Sequence, residues 1–125
     1  MKPSEYKQTV LARESADYKS IKDRLNTKQI RMLHSSIGLC TEAGELIDQI
    51  KKHVYYGKKL DETNIKEELG DIMWYLNVML DVFGWDLEEV LQVNYEKLHA
   101  RYGDKFSEDR AINRDLDTER KILEK

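Results

Sequence analysis

A single cysteine, Cys40, removes any intramolecular disulfide from this chain of 125 residues. The small disulfide-stapled class is thereby excluded, and a reducing cytoplasm is the simplest setting. A single proline, Pro3, leaves no Pro-rich linker, and no internal repeat is visible. No apolar run approaches the roughly 18 residues of a membrane span. The opening "MKPSEYKQTV" lacks the apolar centre of a signal peptide. There is no basic block, and 21 Lys and Arg against 24 Asp and Glu give a net charge of -3. Stable nucleic-acid binding is therefore not expected. Alternating β-branched runs are missing too. The apolar residues recur at helical intervals, which predicts an all-α protein. At 40 % hydrophobic and 36 % charged, the chain suits one soluble domain with a modest core.

Helix signals divide the chain. A first helix is predicted over about residues 4–24, on a weak apolar pattern of Tyr6, Val10 and Tyr18. Asn26 or Thr27 would cap a second, spanning 28–56 and ending at Gly57. Its main apolar stripe is Ile30, Leu33, Ile37, Cys40 and Ile47; Gly44 stands in line with that stripe, where a missing side chain would permit close packing. A third helix is predicted to begin at "NIKE", capped by Asn64 with Glu67 at the capping-box position, and to run to Val82 or Phe83. Asp86 would cap a fourth, ending before Gly103. The unit expected is a helical domain over 1–106 with a charged C-terminal helix or tail over 107–125, whose charges read as solvated.

Two acidic pairs carry the chemistry. Glu42 and Glu45 lie three residues apart, as do Glu68 and Asp71 in "EELGD". At about 100° per residue, each pair occupies one helix face. The second helix alone makes Glu42 and Glu45 look like surface residues, because they lie off its apolar stripe. The third helix changes that reading. Its second half, "IMWYLNVMLDVF", is apolar nearly all round, and Glu68 and Asp71 share a face with Tyr75, Val78 and Val82. Carboxylates leading into an apolar face need partners. The two pairs facing each other across antiparallel helices would be tolerable around a divalent cation. On the fourth helix, Asn94, Lys97 and Arg101 form one polar stripe suited to a phosphate chain. Lys51 and Lys52 are further cations near the acidic pair.

Three readings follow. Carboxylates suit Mg²⁺ or Mn²⁺, and a cation of that kind would bridge phosphates and water in a nucleotide hydrolase. A carboxylate di-iron bundle needs two Glu-x-x-His motifs, and only "EKLH", Glu96 to His99, is present. A non-catalytic helical interaction module explains the helices but not the acidic pair on a central helix.

"EAGE" and "ELGD", in that order and in this apolar context, resemble the motif pair of the MazG-type nucleoside triphosphate pyrophosphohydrolases. "EELGDIMWYLNVML" and "NYEKLHARYGDKF" resemble the segments that carry and follow the second motif, so the likeness covers about residues 33–106. The resemblance implies an all-α bundle of four to five helices whose core is completed by dimerisation, at times as a dimer of dimers. It implies Mg²⁺-dependent cleavage of a (d)NTP between the α and β phosphates. Glu42, Glu45, Glu68 and Asp71 would be the metal ligands, with Glu67 an outer ligand or a cap. Asn94, Lys97 and, more loosely, Arg101 would meet the nucleotide. Lys52 and Tyr75 are further substrate candidates, and Trp74 is expected in the core.

Overall fold

Asn26 and Gly57 delimit the longest helix. The Asn26 side chain accepts hydrogen bonds from the backbone N–H of Lys28 (2.9 Å) and Gln29 (3.3 Å), satisfying two donors that a helix start leaves open. Gly57 adopts a left-handed φ of 65° that ends the helix without a Cβ clash. The computed structural model describes residues 1–124. Along it run α1 (Pro3–Leu11), α2 (Tyr18–Arg24), α3 (Thr27–Tyr56), α4 (Glu62–Phe83), α5 (Leu87–Tyr102), α6 (Glu108–Ile112) and α7 (Leu116–Leu123). No strand occurs among the described residues, so the all-α expectation holds.

The main unit is the hairpin of α3 and α4. Its direction follows from its contacts. Arg31 pairs with Asp81, Gly38 faces Tyr75, and Glu42 meets Asp71. Partner numbers fall on α4 as they rise on α3, so the two helices are antiparallel. The seam on α3 is made of Ser35, fully buried, Gly38 and Glu42. The predicted apolar stripe is turned the other way: Ile30, Leu33, Ile37, Cys40 and Ile47 are exposed, Ile47 to 65 %. The seam takes small residues because the backbones come close at Gly38. A Cβ there would lie within the Tyr75 ring, whereas one at Gly44 would meet nothing within 4 Å. The close-packing role expected of Gly44 belongs to Gly38, six residues earlier.

Other boundaries also differ from the sequence-based expectation. The predicted 4–24 helix is two helices, because Asp17 starts a new one by accepting from Ser20 N–H at 3.1 Å. Helix α4 begins at Glu62, not at "NIKE", because Asp61 caps it through Asn64 N–H at 3.1 Å. Asn64 therefore lies inside the first turn, and its side chain is available for another task.

The C-terminal charges are not all solvated. Helix α7 packs on α5, and α6 packs near the end of α5. Glu119 is 5 % exposed and is held by Arg101 and Arg114. Many large apolar side chains elsewhere are exposed, and others, such as Ile72, Leu76 and Phe83, are half-buried. Leu80 is the one buried among the described residues. Trp74, expected in the core, is 56 % exposed, with Leu69 and Met73 exposed beside it.

Candidate metal centre

The α3–α4 seam brings three carboxylates together. Each of Glu42, Glu68 and Asp71 offers an oxygen, and these atoms all lie within 4.8 Å of one another. Glu68 and Asp71 reach the same point because they are one turn apart on α4. Glu42 arrives level with them because Gly38, one turn earlier, lets α3 settle against the Tyr75 ring. Glu68 is 4 % exposed, Glu42 half-buried and Asp71 exposed, so the group opens to solvent on the Asp71 side.

The electrostatics are those of an uncompensated anionic site. Loss of hydration pushes the Glu42 carboxyl up from its ordinary range, and the negative charges of Glu45, Asp71 and Glu68 push it further. The Thr41 hydroxyl, 3.4 Å from Glu42 Oε1, opposes this weakly. Asn64 supplies the one firm hydrogen bond given to Glu68, its Nδ2 donating to Glu68 Oε1 at 2.9 Å and lying 3.4 Å from Glu67 Oε2. Asn64 Oδ1 is buried without a partner among the described residues. Three converging hard oxygens, repelling one another in partial burial, fit a divalent cation of the Mg²⁺ or Mn²⁺ kind.

The other residues expected at a site are placed differently. Glu45 is exposed and stands outside the group of three, although its charge reaches Glu42. Lys52 donates to Asp48 at 2.5 Å and Lys51 does the same, which holds the Asp48 carboxyl down to about 2. Tyr75 covers Gly38 and meets Trp74 and His34 edge to face, at 4.8 Å and 5.6 Å between ring centroids. On α5, Lys97 donates to Asn94 Oδ1 at 2.8 Å. Arg101, expected at substrate, instead spends its guanidinium within the C-terminal segment: Nε and Nη2 donate to Glu119, and Nη1 lies 3.5 Å from the Tyr102 hydroxyl. Helix α5 packs chiefly on α6 and α7 rather than on the α3–α4 hairpin.

Asp48, Asn64 and Glu119 were missed by sequence reading. Asp48 continues the three-residue spacing of Glu42 and Glu45, and Asn64 stands one turn before Glu68. Those spacings were readable. Nothing local marks Glu119 among its charged neighbours.

A pair of antiparallel helices holding a carboxylate triad across a close seam defines an all-α protein with a candidate hard-cation centre. The family comparison is specific: the MazG nucleotide pyrophosphohydrolase domain matches residues 34–106. The chain belongs to that family, and the match includes the whole triad. Neither the curated proteins nor the solved structures gave a match.

Proposed function

We propose that this chain hydrolyses a (d)NTP between the α and β phosphates, releasing (d)NMP and pyrophosphate, with Mg²⁺ as the cation and Mn²⁺ able to replace it. The observation that carries this reading is the Glu42–Glu68–Asp71 triad within a MazG domain. Those three residues would hold the cation. Bound there, the cation supplies charge neutralisation of the triphosphate and polarisation of water. Asn64 keeps Glu68 aimed at the site by its hydrogen bond. Glu45, outside the triad, is the carboxylate left to complete the ligand set or to take the proton of the attacking water.

The groups that would meet the triphosphate come from α5. Lys97 and Asn94, already bonded to each other, would neutralise and orient phosphate oxygens. The α5 of one chain lies mainly on its own α6 and α7, so in this reading the α5 that meets a given triad would be that of a second copy. The exposed stripe of α3 and the exposed Trp74, Leu69 and Met73 of α4 support that arrangement, as a dimer or a dimer of dimers. Lys52 would join the phosphates only by leaving Asp48, and Tyr75 would act from beneath, by setting the helix spacing. A nucleotide substrate and a lone free thiol accord with a cytoplasmic setting. No helix among the described residues is long and apolar enough to cross a membrane.

Pyrophosphate release, screened over standard and modified (d)NTPs with Mg²⁺ or Mn²⁺, tests the reaction. Turnover that stops in EDTA is expected; turnover that persists there would refute the metal mechanism. Assembly is tested by sedimentation. The expected mass is at least twice the 14.8 kDa of one chain at micromolar concentration. A monomer under those conditions would remove the second copy from the site.

A further inference from the structure

We propose that Glu119, beyond the end of the MazG match, is a positioning residue for the phosphate-binding face of α5. Gripping Arg101, it fixes the rotation of the helix that carries Asn94 and Lys97. The identity of that face rests on the function proposed above; the clamp itself rests on the geometry that follows.

Glu119 is used on both oxygens. Oε1 accepts from Arg101 Nε at 2.7 Å and from Arg114 Nε at 3.3 Å, and Oε2 accepts from Arg101 Nη2 at 2.5 Å and Arg114 Nη2 at 2.6 Å. Two planar forks on one carboxylate fix its plane, and therefore the plane of each guanidinium. Only 14 % of the Arg101 side chain and 6 % of the Glu119 side chain are exposed, so salt screens this pair less than a surface one. The two arginines beside it hold the Glu119 carboxyl down to about 2.

The clamp acts at a telling position. Arg101 follows Lys97 by four residues and Asn94 by seven, so all three lie on one stripe of α5. Fixing Arg101 therefore fixes the direction in which Asn94 and Lys97 point. Helix α7 also packs along α5, and its Leu123 lines a cleft with Val90, Val93 and Asn94. From α6, Arg110 donates to the Tyr102 carbonyl at 2.8 Å, tying that helix to the end of α5. Without α7, α5 would lose its main packing partner, because its contact with the α3–α4 hairpin is slight. A site placed on a poorly braced helix loses the geometry on which positional catalysis depends.

The test uses the full chain. Glu119→Gln keeps the shape of the side chain but leaves two guanidinium groups facing a neutral amide. It should raise the KM for the nucleotide by about 10-fold, with kcat within about 2-fold, since misplacement of a binding group by about 1 Å can cost up to about 10²-fold. Mn²⁺ binding at the triad, read by electron paramagnetic resonance, should stay as in the wild type. Glu119→Asp restores the charge and should recover part of the KM. An unchanged KM in folded Glu119→Gln overturns the proposal, and so does a parallel loss of kcat, KM and Mn²⁺ binding, which marks a general scaffold. Should Glu119→Gln fail to fold, Glu119→Asp alone decides, through a KM raised by about 3-fold or left at the wild-type value. A wild-type chain that binds Mn²⁺ but hydrolyses no (d)NTP defeats the proposed function without deciding the clamp. Calorimetry with inorganic pyrophosphate on the Mn²⁺-loaded protein then decides it: weaker binding by Glu119→Gln supports the clamp, and equal binding overturns it.

Discussion

Glu68→Gln and Asp71→Asn are expected to abolish pyrophosphate release while raising the thermal stability of the metal-free protein. The opposed signs come from one cause. Glu42, Glu68 and Asp71 crowd their oxygens within 4.8 Å of one another, with Glu68 only 4 % exposed. Like charges so placed repel when nothing lies between them, and removing one relieves the others. The same removal deletes one of the proposed cation ligands. Loss of groups that merely support a metal ligand already lowers activity or affinity by about 10- to 100-fold, so loss of a ligand should exceed about 100-fold. Mg²⁺ should stabilise the wild type, by about 2.7 kcal/mol at a hundredfold excess over Kd, and leave either variant nearly unmoved. Calorimetric melting with and without Mg²⁺, beside a pyrophosphate assay, checks each part. A variant that melts lower without metal and still turns over would contradict both. The pH dependence has a matching sign. The Glu42 carboxyl titrates higher in the folded chain than its ordinary 4.5, so the folded state favours its proton. Its contribution to metal-free stability is fully present below 4.5 and is lost as pH rises through the folded value.

Gly38→Ala should be the most damaging single methyl in the protein, and Gly44→Ala a harmless one. Both glycines lie inside α3, and both changes improve intrinsic helix propensity. At Gly38 the new Cβ would fall within the Tyr75 ring, on the seam that sets the α3–α4 spacing. Overpacking of that kind costs about 1–3 kcal/mol, or a fall of roughly 5–15 °C in Tm. Pushing the helices apart also pulls Glu42 away from Glu68 and Asp71, so Mn²⁺ affinity should fall with stability. At Gly44 nothing in the same chain lies within 4 Å, and the fold of the single chain should gain about 0.5–1 kcal/mol. Equal melting temperatures for the two variants would show that the close approach at Gly38 does not set the seam. Gly38→Ala combined with Tyr75→Leu should recover part of the loss, because the obstructing ring is gone.

The sequence carried the helices and the second acidic pair because both rest on local signals. Asn26, Gly57, Asp86 and Gly103 act on their immediate neighbours, and the structure uses each where its type suggests. The seam was not legible for a physical reason. Ile30, Leu33, Ile37 and Ile47 form the stronger stripe of α3, yet Ser35, Gly38 and Glu42 face α4. A periodicity argument ranks faces by hydrophobicity. It cannot rank them by how close two backbones must come, nor by a charge cluster that two helices share. The 4–24 region failed in the opposite way: its pattern was weak, and one cap at Asp17 sufficed to divide it. The bond from Arg101 to Glu119 was not legible, because that carboxylate lies 18 residues further along the chain.

The order in which this architecture assembles follows from which elements touch. Its principal contacts join α3 to α4, and α5 to α6 and α7, all near neighbours in the chain. Loops this short close at small entropic cost, so both units belong to the low contact-order regime in which folding is fast. Neither unit buries the stripe led by Ile30 and Ile47 or the indole of Trp74. In the assembly proposed above, what would remain after those first events is a collision problem, governed by chain concentration rather than by chain topology. The carboxylates of the triad are thus gathered within one molecule, by helices that are neighbours in the chain, and their meeting would need no second copy.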